Sequence, residues 1–328
     1  MKLALYQMNI VWENKEGNIN KLEKVLETVS ERKIDLLLLP EMSLTGFSMN
    51  TDVTGESDYE TVRKIKKLAT EYKVAIGVGW TKKLNNESND LLKSEIKNNK
   101  SCDTLRSKQE NDKFIKKCMC ENHYSILGPD EVEEFGITEE EKCKFDSKFD
   151  KEIKGDKIDE LDIPMMFDYA KIHPFSYSGE DRFFVGGEYP DYLYYKGFNI
   201  SAAICYDLRF PEIFQVMSKK AEMIIVPANW PEVRIGHWDK LLMARAIENQ
   251  CYIAGINCVG EIGGVSYCGG TMLVNPNGDT VIPDEIEGSD NGEMVLIYEI
   301  DNDVDNVREA FPVKKDRREK IYESLLSE

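Results

Sequence analysis

Residues 34–41 read IDLLLLPE. Four leucines in succession leave no polar face, so a strand with one side in water is a poor fit. The run suits a strand covered on both faces, as in a parallel sheet flanked by other layers. Working outward, KLALYQMNI (2–10) reads as an earlier strand, and the spacing Ile19, Leu22, Val25, Leu26, Val29 predicts a helix over about residues 18–32. On the other side, DYETVRKIKKLATEYK (58–73) predicts a second helix and VAIGVGW (74–80) another buried strand. The order β-α-β-α-β is an alternating α/β layout.

The pattern breaks at about residue 82. Two stretches, about 82–120 and 129–162, are rich in charged and polar residues and flank one expected strand and turn, ENHYSILGPDE (121–131). Such composition buries little apolar surface, which predicts partial helix or disorder in two insertions. Order returns near residue 163. MMFDYAKIHPF (165–175) reads as a strand entering a loop, and DYLYYKGFNISAAI (191–204) as a hairpin about Lys196-Gly197. A helix is expected after Pro211, then a buried strand MIIVPANW (223–230), a helix HWDKLLMARAIENQ (237–250) and a strand CYIAGINCVG (251–260). Two strands are expected about the NPNG turn within 268–282, a last strand over EMVLIYEI (293–300), and a charged helix over 313–328. Many strands separated by helices suggest two sheets packed face to face with helices outside.

The 328 residues, 41% of them hydrophobic, fit one large domain or two ordinary ones. The net charge of −18 makes nucleic acid and anionic membrane surfaces poor partners. Residues 129–162 contribute −8 of it, from 14 acids and 6 lysines, so much of the acidity belongs to one insertion. No run approaches the roughly 20 apolar residues of a membrane span. The first residues do not read as a signal peptide, and the eight cysteines have no framework spacing. Reduced thiols and a cytoplasmic location are expected.

Three buried runs end on a reactive side chain: LLLLPE on Glu41, MMFDYAK on Lys171 and NISAAIC on Cys205. Loops at strand ends, held by a rigid sheet, are where α/β enzymes place catalytic groups. A cysteine after an apolar run is usually core, but the following YDLRFPE (206–212) is too polar for core. A helix opening near Pro211 would favour a thiolate and a developing oxyanion. The thiol needs a base. His123 lies at the edge of the insertions, His237 in a helical first turn, and His173 reads as a neighbour of Lys171, so a carboxylate base is preferred over a Cys–His pair. Glu41 would take the thiol proton and return it to a leaving amine. Lys171 would stabilise the oxyanion with the backbone N–H after Cys205, and Glu180 would hold Lys171 charged and in place. This set needs no metal and no cofactor.

LLLLPEMSLTGFSMN (36–50), YAKIHPF (169–175), AAICYDLRFPE (202–212), VPANWPEVRIGHWDKLLMARAIENQ (226–250) and FPVKKDRREKIY (311–322) together resemble the nitrilase, or carbon–nitrogen hydrolase, superfamily. The resemblance implies a Glu41-Lys171-Cys205 catalytic triad with Glu180 as a supporting glutamate. It also implies a single α-β-β-α sandwich domain over residues 1–328, interrupted by the two insertions and paired into a homodimer. The motifs are most similar to the omega-amidase branch. That implies release of ammonia from the terminal amide of small dicarboxylate monoamides such as 2-oxoglutaramate and succinamate. Deaminated glutathione or a carbamoyl compound is the alternative substrate, and a non-catalytic scaffold the alternative of another class.

Phe47, Met49, Tyr206 and Trp230 are expected as walls of the substrate site. Arg209 would pair either with a substrate carboxylate or, structurally, with Asp207. Arg245 and Glu248 read as a helix-face ion pair at i, i+3. Cys102, Cys118, Cys120, His123 and Cys143 fall at or within the insertions without a recognised zinc spacing, so incidental thiols are expected there.

Overall fold

The leucines at 36–39 are fully buried because both faces of their sheet meet protein. A computed structural model describes residues 1–84, 120–129, 165–288 and 291–326. The chain runs β1 (Lys2–Gln7), α1 (Lys15–Val29), β2 (Leu36–Leu38), a short α2 (Thr51–Thr54), β3 (Gly55–Glu56), α3 (Glu60–Tyr72), β4 (Ala75–Lys83), β5 (Cys120–Leu127) and β6 (Phe167–Ala170). It continues through β7 (Leu193–Tyr195), β8 (Phe198–Ala202), α4 (Pro211–Met217), β9 (Met223–Ala228), α5 (Ile235–Asn249) and β10 (Tyr252–Asn257). Last come β11 (Val259–Ile262), β12 (Val265–Cys268), β13 (Met272–Val274), β14 (Glu285–Gly288), β15 (Met294–Glu299), α6 (Val304–Ala310) and α7 (Glu319–Leu326).

The first sheet has the order β14-β15-β1-β2-β4-β5-β6, with β3 beside β4, and the second β13-β10-β9-β8-β7. Each centres on three parallel strands, β1-β2-β4 and β8-β9-β10, with antiparallel neighbours outside. Alternation along the strands then builds the layers. Leu3, Leu5, Leu36, Leu38, Tyr124 and Tyr169 share one core with Ile200, Ala202 and Ile225 of the second sheet. Ala4, Tyr6, Leu37, Leu39 and Ile76 turn the other way and pack with Leu22 and Leu26 of α1 and Ile65 of α3. Trp238, Leu242 and Ala246 of α5 cover the far face of the second sheet. The result is the expected α-β-β-α sandwich.

Several details differ from expectation. The first helix starts earlier, at Lys15, because the Asn14 side chain caps it by accepting from the Gly17 N–H at 2.9 Å. CYIAGINCVG is split between β10 and a hairpin, β11–β12, whose Gly263-Gly264 corner has both φ positive (57° and 78°), the requirement of a tight primed turn. After the NPNG turn the Val274–Thr280 pairing is an isolated bridge, so the second strand expected about that turn does not form. The tail helix is confined to α7, and α6 was not anticipated. Most of both insertions lies outside the described residues. Among the described residues no helix is long and apolar enough to cross a membrane.

Candidate active site

The parallel strands of both sheets bring their carboxyl ends together, where open α/β sheets bind ligands. Glu41 follows β2 and is 1% exposed. Its loop lies so close to β4 that a Cβ on Gly79 would sit 2.3 Å from the Met42 nitrogen, so only glycine fits there. Lys171 follows β6. Its N–H donates to the Asn122 carbonyl at 2.8 Å, and its own carbonyl accepts from the Gly187 N–H at 2.8 Å, which pins the backbone. Glu180 opens a 3-10 turn and is fully buried.

These three residues converge although Glu41 and Lys171 are 130 positions apart in sequence. Lys171 Nζ donates to Glu41 Oε1 at 2.9 Å and to Glu180 Oε1 and Oε2 at 3.1 and 2.9 Å. Burial opposes the ammonium charge, but Glu180 and Glu41 outweigh it and hold the lysine well above its ordinary value. Burial pushes the Glu180 carboxyl up, against the pull of Lys171. Two carboxyl groups about one ammonium place a candidate base at the site without a histidine.

Two asparagines that were not singled out from the sequence complete the frame. Asn122 on β5 donates from Nδ2 to Glu41 Oε1 at 2.8 Å and to Glu180 Oε1 at 3.2 Å. Asn229, just past β9, donates its N–H to Glu41 Oε2 at 3.0 Å and its Nδ2 to the Glu41 carbonyl at 2.6 Å. The buried Cys258 thiol in turn meets Asn229 Oδ1 at 3.4 Å. Asn229 obeys the same strand-end rule as Glu41, so VPANW carried a signal. Asn122 is visible only as an inward position of an alternating strand.

Cys205 opens a 3-10 turn (Cys205–Arg209) directly after the β8 strand and its loop, with φ of +46°, a left-handed conformation costly for a non-glycine residue. Asp207 fastens the turn, accepting from the Ile204 N–H at 2.9 Å, the Tyr169 hydroxyl at 2.9 Å and the His173 N–H at 2.9 Å. Arg245 supports it from α5 by donating from Nε and Nη2 to the Leu208 carbonyl, while pairing with Glu248 at 2.9 Å as expected. Burial, then the negative charge of Glu41, pushes the Cys205 thiol well above its ordinary value, and Lys171 offsets only part of this. Burial and Glu41 thus work against the thiolate that a helix opening near Pro211 was expected to favour.

Two of the three histidines are engaged elsewhere. His173 Nδ1 meets Asp207 at 2.7 Å and its ring stacks on Phe210 at 3.8 Å. His123 meets Asp168 at 3.0 Å and Glu121 at 2.9 Å. His237 lies on α5. Cys120 is buried in β5, Cys102, Cys118 and Cys143 lie outside the described residues, and no metal-holding group of His, Cys, Asp and Glu occurs among the described residues.

Cys205 and Lys171 reach a cavity of ≈ 300 Å³. Phe47, Tyr206, Trp230 and Arg209 line it as expected. Met49 does not; it packs with Phe47 and Phe183 on the Met42–Cys120–Phe184 cluster, because the loop turns it away from the opening. The Arg209–Asp207 ion pair is also absent: Asp207 is occupied by Tyr169, His173 and Ile204, and the Arg209 guanidinium lies 4.7 Å from the Trp230 ring centroid. Phe175, Arg234, Val265 and Tyr267 add walls that the sequence did not flag, the last two from the unforeseen hairpin.

The sequence profile of the carbon–nitrogen hydrolase family matches residues 2–309. The chain belongs to the carbon–nitrogen hydrolase family. This hydrolase is 26% identical over 327 residues to the hydrolase of the agr operon from Staphylococcus aureus, covering 98% of this chain and 100% of that one. It is 36% identical over 157 residues to the 2-oxoglutaramate amidase of Bacillus subtilis, 47% of this chain and 59% of that one. Its fold is similar to that of a variant amidase from Nesterenkonia sp. AN1, at a TM-score of 0.64 and 19% identity over 99% of this chain and 96% of that one. In that structure the acetamide moiety of fluoroacetamide is covalently added at the active-site cysteine.

Proposed function

We propose that this carbon–nitrogen hydrolase is an omega-amidase-like enzyme. It releases ammonia from the terminal amide of small dicarboxylate monoamides such as 2-oxoglutaramate and succinamate. The observation that carries the reading is the convergence of Glu41 and Glu180 on Lys171, which lines one pocket together with Cys205. The 2-oxoglutaramate amidase relative and the cysteine adduct of the Nesterenkonia amidase support the substrate class and the nucleophile.

In the first half-reaction Cys205 Sγ bonds to the amide carbon as its proton passes to Glu41. The carbonyl electrons move to oxygen, and the resulting oxyanion faces Lys171 Nζ and the Tyr206 N–H. Collapse breaks the C–N bond, Glu41 returns the proton to nitrogen, and ammonia leaves a thioester. In the second half-reaction Glu41 removes a proton from water, the hydroxyl adds to the thioester carbon, and the acid leaves as the thiol is reprotonated. Because burial and Glu41 raise the thiol, a base is needed at the moment of attack.

The test is ammonia release by purified protein from 2-oxoglutaramate and succinamate, beside Cys205→Ala. Release by the parent and none by the variant is expected. Release from neither substrate, with turnover of a deaminated peptide or carbamoyl compound instead, would overturn the substrate class and keep the thiol chemistry.

A further inference from the structure

The protein is strongly acidic, yet no Asp or Glu is among the residues lining the pocket. Its charged lining residues are Lys171, Arg209 and Arg234. Lys171 is neutralised from behind by Glu41 and Glu180. The two arginines have no carboxylate partner in ion-pair range among the described residues. Each is instead placed against an aromatic wall, Arg209 at 4.7 Å from the Trp230 centroid and Arg234 at 5.6 Å from the Phe175 centroid. The Arg234 backbone is fixed as well: its carbonyl accepts from Trp230 Nε1 at 2.9 Å, and its N–H donates to the Pro231 carbonyl at 3.0 Å. An aromatic neighbour restrains a guanidinium while leaving N–H groups available, the arrangement that suits a carboxylate.

We propose that Arg234 and Arg209 form a two-arginine clamp that selects amides bearing a carboxylate at the end away from the scissile bond, with Arg234 as a specificity-determining residue. This deepens the amidase reading and rests on it. A fixed pair of cations in an acid-free wall favours an anionic substrate and leaves a neutral amide of equal length without its anchor.

The experiment compares the full chain and Arg234→Gln, Arg209→Gln and Arg234→Lys on succinamate and on butyramide, its uncharged analogue. Succinate is added as a competing dicarboxylate. The parent prefers succinamate. Arg234→Gln lowers kcat/KM on succinamate about 10- to 100-fold, mainly through KM, with a loss on butyramide at least about tenfold smaller. Arg209→Gln acts in the same direction, Arg234→Lys retains part of the preference, and succinate inhibits the glutamine variants more weakly. Equal losses on both amides, unchanged succinate inhibition in both glutamine variants, or a parent that prefers butyramide would overturn the clamp and leave the amidase standing. A parent inactive on both amides would overturn the clamp, and activity on another class of C–N bond would then retain the thiol hydrolase.

Discussion

Strand β5 carries a charged cluster on each face, and the two have different surroundings. Inward, Asn122 meets Glu41 and Glu180 around the Lys171 ammonium. Outward, His123 sits between Asp168 and Glu121, with Ser125 donating to Asp168 at 2.5 Å and Trp80 to Ser125 at 2.8 Å. Each cluster places two carboxylates about one nitrogen base. The inner one adjoins a pocket and a thiol, while the outer one lies under Trp80 and Tyr59, whose rings are 5.2 Å apart. Buried charge by itself does not mark an active site. What distinguishes the inner cluster is an adjoining thiol and a pocket that reaches it.

The comparison breaks most sharply at Cys205. Replacing it with alanine is expected to lower amide turnover by about 10⁴-fold or more, leaving thermal stability near that of the parent, measured by ammonia assay and melting. Glu41→Gln keeps shape and hydrogen-bond capacity but removes the base, with an expected loss of about 10²–10⁴ in kcat. Iodoacetamide labelling of Cys205 in the parent is expected to rise without a plateau through pH 8, following the raised thiol. A plateau near pH 7 would instead reveal a resting thiolate. Lys171→Met strands two buried carboxylates and is expected to cost about 3–5 kcal/mol of stability, read by denaturant melting, as well as abolishing turnover.

The outer cluster yields the smallest effect and one of a different kind. Burial opposes the charge on His123, but Asp168 and Glu121 prevail and raise it from 6.5 to about 9. A base with a raised folded pKa binds its proton more tightly in the native state. Its stabilisation is complete below about pH 6.5 and is lost as pH rises through about 9. His123→Gln is expected to cost about 2–3 kcal/mol at pH 6, to flatten the decline between pH 6.5 and 9, and to change kcat only a few-fold. Loss of turnover as deep as that of Glu41→Gln would mean that the two faces of β5 are functionally one.

Much of the frame was legible because burial on both faces writes itself as an unbroken apolar run. LLLL gave β2, MIIVPA gave β9, and the reactive residues following such runs marked Glu41, Lys171 and Cys205. The tight turn at Gly263-Gly264 was just as visible in principle, but CYIAGINCVG reads as one strand, and its continuation into a separate hairpin hid Val265 and Tyr267. Met49 and Arg209 show a second limit. A motif places a residue in a loop, but the loop's path decides whether the side chain faces the pocket, as for Arg209, or a packed cluster, as for Met49.

By itself the sequence determined the layered α/β architecture and named the candidate reactive groups, since both follow from local periodicity and from what ends each strand. Tertiary structure decided which groups meet. The Glu41–Lys171 contact spans 130 residues, Asn122 joins it through the strand order of the first sheet, Asn229 joins it only when the second sheet stacks on the first, and burial between them raises the thiol. Those properties depend on distances between segments remote in sequence, and local side-chain pattern does not encode them.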